Sequence, residues 1–376
     1  MTWSRTFPSR ALAVGALVAV LLPVAACGGG ASGSAAPAAS GGATKKFKIA
    51  LSNSFIGNKW RVEMENDFKS VCASPPWKDR VDCTVFNAGN DVSKQSQQMS
   101  NMISQRVDAI VLNAASPTGL NGVVKQACDR KILVVSFDST VTEPCGLKVN
   151  TDQVKFGKLL AQYLVDKLPK GGNVIQVTGV AGTSVDADRN AGAKAVFDKN
   201  PQIKVVSTYT GMWDSATAQR NTAGQIPSLP TIDGIWAQGG TDGVLKAFLD
   251  AKRPLPPTAG EAENGFRKFM RPKGYLGATV QALSIGQPPY LSVVALETAL
   301  QVLDGTRPRG DVIVPFPSAT NADVKAGVTV FPDLEDSFFV TFTDSGADPT
   351  VKICVGAALS GNVCPKPPTI TLPPAA

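Results

Sequence analysis

A chain of 376 residues, 43% of them apolar, is long enough to bury the cores of two α/β domains. It contains no histidine, which excludes Ser-His-Asp and Cys-His catalysis and histidine-ligated metal sites. Its seven cysteines show no Cys-x-x-Cys spacing, which speaks against zinc and redox motifs; no metal or cofactor is expected, and the net charge of +7 is modest.

Residues 1–26 have the pattern of a secretory signal peptide: Arg5 and Arg10 form a basic start, and Ala11 to Val24 an apolar run too short for a comfortable membrane span. The run ends in Val24-Ala25-Ala26-Cys27, which resembles a bacterial lipobox and implies lipidation of Cys27 as the mature N-terminus. Residues 27–45 then read as a tether, since Gly28 to Thr44 holds only Gly, Ala, Ser, Pro and Thr. An anchor followed by a tether predicts a soluble portion held at the extracytoplasmic face of the cell membrane. Losing the signal peptide removes two arginines and no acids, taking the charge from +7 to +5. No long basic block remains, so no nucleic-acid partner is expected.

From residue 46 the chain alternates strand and helix. Strands are predicted at 47–51, 81–86, 107–112 and 131–137, and helices at 59–72, 91–105 and 117–130. The first strand enters a polar turn with Ser52, Asn53, Ser54 and Asn58, followed by Trp60 and Arg61, which read as exposed. The third strand ends in Asn113 and the fourth in Asp138-Ser139. In open parallel sheets, ligands sit outside the carboxyl ends of the strands, so these residues should converge on one crevice. Asp152 can cap a helix at 152–168, after which the alternation restarts. Strands are predicted at 173–178, 203–208, 232–236 and about 275–280, with helices at 184–199, 214–224, 241–251 and 291–304. Polar or aromatic groups again follow the strands: Arg189, Trp213, Gln238, Glu261, Glu263, Asn264 and Gln287. Phe338 to Phe342 reads as one more strand.

Export accounts for the cysteines. The six after Cys27 fall in three close pairs, predicting Cys72–Cys83, Cys128–Cys145 and Cys354–Cys364 bridges in an oxidising compartment.

Two half-sized α/β units with polar strand ends make the geometry of a cleft between two lobes that closes about a hinge. The chain resembles the type I periplasmic binding proteins, in the ribose-binding-like sugar branch that serves ABC importers. The blocks that carry the resemblance include LSNSFIGNKWR (51–61), VDAIVLNAASPTGLNGVVKQA (107–127), TGVAGTSVDADRNAGAKAVF (178–197), IDGIWAQGGTDGVLKAFLDA (232–251) and GQPPYLSVVALETALQVLDG (286–305). The resemblance implies two Rossmann-like α/β lobes with parallel sheets and a multi-crossing hinge. Residues 46–150 with about 288–315 form the N-terminal lobe, 151–287 the C-terminal lobe, and 316–376 a C-terminal segment with a Pro-rich tail. Crossings are expected near Val149–Asp152, near Ser284–Gln287 and around 312–320.

The resemblance also implies a ligand site. Asn58, Trp60, Asn113, Asp138, Arg189, Trp213 and Gln287 match family positions, with Gln238 and one of Glu261, Glu263 or Asn264 as candidates. Arg61 stands where the family often has a second aromatic, and Ser139 where ribose binders have an arginine, which argues against ribose itself. Carboxylate, guanidinium and amide groups suit hydroxyls, and indole rings suit the apolar faces of a sugar. The expectation is a monomeric, non-enzymatic binder of a monosaccharide or polyol that docks on an ABC permease. Alternatives are a sensor feeding a signalling receptor, a nucleoside or autoinducer-like ligand, or a carbohydrate-acting enzyme. The last would use Glu261 and Glu263, which are expected to point apart and so make a poor acid/base dyad.

Overall fold

A computed structural model describes residues 46–340, 351–366 and 368–375 of the chain. The signal peptide, the tether and the lipidation position Cys27 lie outside the described residues.

The first lobe runs β1 (Phe47–Asn53), α1 (Lys59–Ala73), β2 (Val81–Asn87), α2 (Val92–Ser104), β3 (Ala109–Asn113), α3 (Asn121–Asp129), β4 (Leu133–Phe137) and β5 (Leu147–Asn150). The second runs α4 (Gln153–Lys167), β6 (Gly172–Thr178), α5 (Ser184–Phe197), β7 (Ile203–Thr210), α6 (Ser215–Gln225), β8 (Gly234–Ala237), α7 (Thr241–Asp250), β9 (Thr258–Glu261), α8 (Asn264–Phe269) and β10 (Ala282–Ile285). The chain then forms α9 (Leu291–Leu303), β11 (Val312–Ile313) and β12 (Ser318–Thr320), and ends with β13 (Val351–Lys352), α10 (Val355–Ser360) and β14 (Thr369–Ile370).

The two six-stranded sheets share one plan. Their orders are β2-β1-β3-β4-β5-β11 and β7-β6-β8-β9-β10-β12. All neighbours are parallel except β12, which runs antiparallel to β10. Strands such as β3 and β4 are buried along their whole length, as a sheet covered on both faces requires. Side chains alternate between two cores: Ile49 and Leu51 enter one, Ala50 the other. The second sheet divides Ile175 and Val177 from Val174 in the same way.

Helix α9 is mostly apolar, and Leu291 to Leu300 are all buried, with Leu291, Val293, Val294, Ala295, Leu296, Ala299 and Leu300 in the first lobe's core. Phe338, Phe339, Val340 and the tail residues Val351, Ala357, Ala358 and Cys364 join that core. The lobes are therefore connected after β5, between β10 and α9, between β11 and β12, and again by the segment 331–340. All three neighbour disulfides are present: Cys72–Cys83, Cys128–Cys145 and Cys354–Cys364.

Three local expectations are corrected. Residues 275–280 form a tight turn, with Leu276 and Gly277 in the left-handed region, and no strand. The two strands of that region are β9 and β10. Pro256 and Pro257 lie just before β9, where no ladder donor is needed. Trp60 and Arg61 are buried, at 6% and 2% exposure, because α1 turns that face toward the second lobe. At the predicted strand Phe338 to Phe342, the described residues make a single bridge, Phe339 with Glu263, and 341–342 lie outside the description.

Candidate functional site

A narrow cavity lies between the carboxyl ends of the two sheets. The first lobe and its connections line it with Asn58, Trp60, Arg61, Asp138, Gln287 and Phe339, and the second lobe adds Val185, Arg189, Trp213 and Glu261.

On the first side, Asn58 caps α1 by accepting the Arg61 amide at 3.0 Å. That cap starts the helix so that Trp60 and Arg61 fall in its first turn and face the cavity. The Trp60 indole donates to the Gln287 carbonyl at 2.8 Å. Arg61 lies between Asn53 Oδ1 at 2.9 Å and Asp138 Oδ2 at 3.5 Å, with the Phe55 ring 4.9 Å away. Burial pulls its pKa down, and Asp138 and Glu65 oppose that fall.

Asp138 follows β4 in the left-handed region, with φ 55°, a conformation aspartate tolerates better than most residues. This turn aims the carboxylate across the sheet end. Asn113 donates to its Oδ2 at 3.0 Å and Gln287 to its Oδ1 at 2.9 Å. Gln287 is itself oriented by Thr151, whose hydroxyl donates to Oε1 at 2.6 Å.

On the second side, Arg189 is 1% exposed. It donates to Gln153 Oε1 at 2.8 Å, to the Gln238 carbonyl at 2.9 Å and to both Glu261 oxygens at 3.3 Å. Its guanidinium also lies 3.8 Å from the centre of the Phe156 ring. Two glycines allow this placement. A methyl at Gly157 would come within 2.0 Å of the Arg189 carbonyl, and one at Gly192 within 2.1 Å of the Val154 carbonyl. Helices α4 and α5 thus touch backbone to backbone, which fixes Arg189 against Phe156 and Gln153. Trp213 is half-buried and donates to Gln238 Oε1 at 3.2 Å.

The Glu261 carboxyl is pushed up to about 7, by burial first, with Arg189 opposing. Glu263 is pushed up to about 8, by burial and then by Glu261 and Asp242. The two do not point apart. A side chain at Gly239 would meet Glu261 Oε2 at 3.0 Å and Glu263 Oε1 at 3.2 Å, so both carboxyls border the same glycine. Positions i and i+2 of an extended segment face the same way, and that periodicity governs here. Glu263 is nonetheless turned to structure, accepting the Gly240 amide.

Eight of the thirteen residues singled out from the sequence therefore line the cavity: Asn58, Trp60, Arg61, Asp138, Arg189, Trp213, Glu261 and Gln287. The other five stand elsewhere. Asn113 lies behind Asp138, Gln238 behind Arg189 and Trp213, and Glu263 behind Gly240. The Ser139 carbonyl accepts the Ala114 amide, and the Asn264 side chain bonds the Phe331, Leu334 and Glu335 carbonyls. Sequence reasoning missed Val185 and Phe339 in the wall and Gln153, Thr151 and Phe156 behind it. Gln153 and Thr151 could have been found as polar residues at a lobe crossing. Phe339 carried no signal beyond an apolar run.

Among the described residues, no helix is long and apolar enough to cross a membrane, and no three His, Cys, Asp or Glu side chains are grouped to hold a metal ion. Two matching α/β lobes around a polar, partly aromatic cavity define a two-lobe ligand-binding protein. Residues 49–307 match the family described as "Periplasmic binding protein domain", and the chain belongs to that family, whose members bind without catalysing. It is 24% identical over 278 residues to the ribose import binding protein of Bacillus subtilis, spanning 73% of this chain and 88% of that one. It is 27% identical over 332 residues to a xylitol-binding protein of Mycolicibacterium smegmatis, spanning 85% of this chain and 88% of the relative. Among solved structures, an ABC transporter solute binding protein from Thermobispora bispora is similar at a TM-score of 0.66 and 33% identity, over 72% of this chain and 84% of its own.

Proposed function

We propose that the chain is a lipid-anchored, extracytoplasmic solute-binding protein. It takes a monosaccharide or related polyol into the interlobe cavity and, as a monomer, delivers it to the permease of an ABC importer. The observation that carries this reading is the cavity wall itself. Two indoles, Trp60 and Trp213, stand beside the buried polar heads of Asp138, Arg189, Glu261 and Gln287. Indole faces suit the C–H faces of a sugar, and charged groups contribute about 1.5–3 kcal/mol per hydrogen bond to hydroxyls. The ribose and xylitol named for two relatives are of the same chemical class. Asn58, Trp60, Arg61, Asp138, Arg189, Trp213, Glu261 and Gln287 touch the ligand in this reading. Asn113, Ser139, Gln238, Glu263 and Asn264 support them, and Cys27 carries the lipid.

Thermal unfolding against pentoses, hexoses, deoxysugars, polyols and nucleosides tests it. A compound that binds only the native state adds about 2.7 kcal/mol at a hundredfold excess over Kd. One strong stabiliser, silenced by Asp138→Ala, is the expected outcome. A panel without any stabiliser would sink the sugar reading.

A further inference from the structure

We propose that Phe339 is a specificity-determining wall of the cavity and that Glu63 is the residue that positions it. The proposal rests on the cavity being the ligand site. Phe339 is 2% exposed, lines the cavity, and belongs to a segment outside every site motif read from the sequence.

The segment around it is tied to both lobes, almost residue by residue. Glu335 pairs with Lys59 of α1 in the first lobe. The next residue, Asp336, pairs with Lys246 of α7 at 2.7 Å and Lys268 of α8 at 2.8 Å in the second. The Asn264 amide donates to the Phe338 carbonyl at 2.7 Å, and the Val340 amide to the Ala262 carbonyl at 2.9 Å, again in the second lobe. Between them, the Phe339 amide turns back to the first lobe and donates to Glu63 Oε1 at 3.0 Å and Oε2 at 3.3 Å. Further on, the Cys354–Cys364 loop is fastened to α1, where Asn66 donates to the Ala358 carbonyl at 2.8 Å and Ser70 to the Asn362 carbonyl at 2.6 Å. The Phe339 ring is therefore held in the wall by attachments before it, at it and after it.

Glu63 has no exposed surface, and burial raises its pKa well above the usual carboxylate range. An apolar side chain there would leave the buried Phe339 N–H without its acceptor. What the acid supplies, and an apolar residue would not, is an acceptor for the one backbone donor that sets the Phe339 ring.

The test is calorimetric titration of the full chain with the ring sugar of the panel that stabilises it most and with xylitol, an open-chain polyol, alongside thermal unfolding. Phe339→Leu keeps apolar bulk and removes the ring. It should weaken binding about tenfold, the scale of a lost aromatic contact, with the larger loss for the ring compound, whose flat face meets the phenyl group. Phe339→Tyr keeps the ring and should retain affinity, which separates ring loss from damage to the fold. Glu63→Leu should match Phe339→Leu in affinity and also lower Tm, since it orphans the Phe339 N–H, and Glu63→Gln, still an acceptor, should restore both. Wild-type affinity in Phe339→Leu, or equal losses for the two compounds, would overturn the role of Phe339. Wild-type affinity in Glu63→Leu would overturn that of Glu63. A wild-type chain that binds neither compound, nor any other of the panel, overturns the cavity reading and this inference with it. Failure confined to the variants leaves the cavity reading standing.

Discussion

The two lobes share a strand order, and each brings an arginine and a carboxylate to the cavity, yet they hold these pairs in different ways. In the first lobe, Asp138 already accepts hydrogen bonds from Asn113 and Gln287, and Arg61 joins at 3.5 Å as one partner among several. In the second, Arg189 is the group that meets both oxygens of a buried Glu261, and it is locked by α4, α5 and Phe156. The lobes differ in covalent support as well. Cys72–Cys83 and Cys128–Cys145 lie in the first lobe, the Cys354–Cys364 tail packs on it, and the second lobe contains no cysteine. One topology thus tolerates two means of fixing a site: disulfides with shared hydrogen bonds, or close helix packing around a single ion pair.

Reduction is the most forceful way to break this comparison. Loops of the length closed by Cys72–Cys83 and Cys128–Cys145 are each worth roughly 3 kcal/mol in the chain-entropy model. Hydrogen exchange under a reductant should show the first lobe losing protection while the second keeps it. Equal loss in both lobes would mean that they unfold as one unit and that the asymmetry is only structural.

The arginines come next. Arg189→Ala leaves Glu261 buried without its cation and is expected to cost about 3–5 kcal/mol in urea unfolding. Arg61→Ala leaves Asp138 with two donors, so a smaller loss of about 1–3 kcal/mol is expected. Equal losses would show that the number of remaining donors does not decide the cost.

The last test is of pH. Glu261 and Glu263 hold protons in the folded state up to about 7 and about 8, well above their value of 4.5 when exposed. The native state therefore binds more protons than the unfolded one. The stabilisation from these groups is fully present below pH 4.5 and is lost as pH rises through 7 and 8. Glu63 and Asp67 of α1, raised by burial, add to the same trend from the first lobe. Tm should fall between pH 5 and pH 8, and Glu263→Gln should flatten part of that slope. A Tm that rises over this window would refute the protonated state of these acids.

The alternation of strands and helices, the strand-end positions of most wall residues and the neighbour disulfides were all legible in the sequence. Each depends on local features: a period of two or 3.6 in apolar residues, a capping side chain, or two cysteines a short loop apart. Local pattern failed where burial overrode composition, as in the four-residue β9 behind two prolines and in Trp60 and Arg61, which look like surface residues. It also could not choose partners. Arg189 had nearer acids in Asp186 and Asp188, and took Glu261, 72 residues away. Gln287 reached Asp138 across 149 residues, and Glu63 reached the Phe339 amide across 276. A sequence determines which side of each element must be buried, because that depends on the element alone. Which distant charges then share one dry cavity depends on how two lobes and their connecting segments meet, and only the tertiary structure decides that.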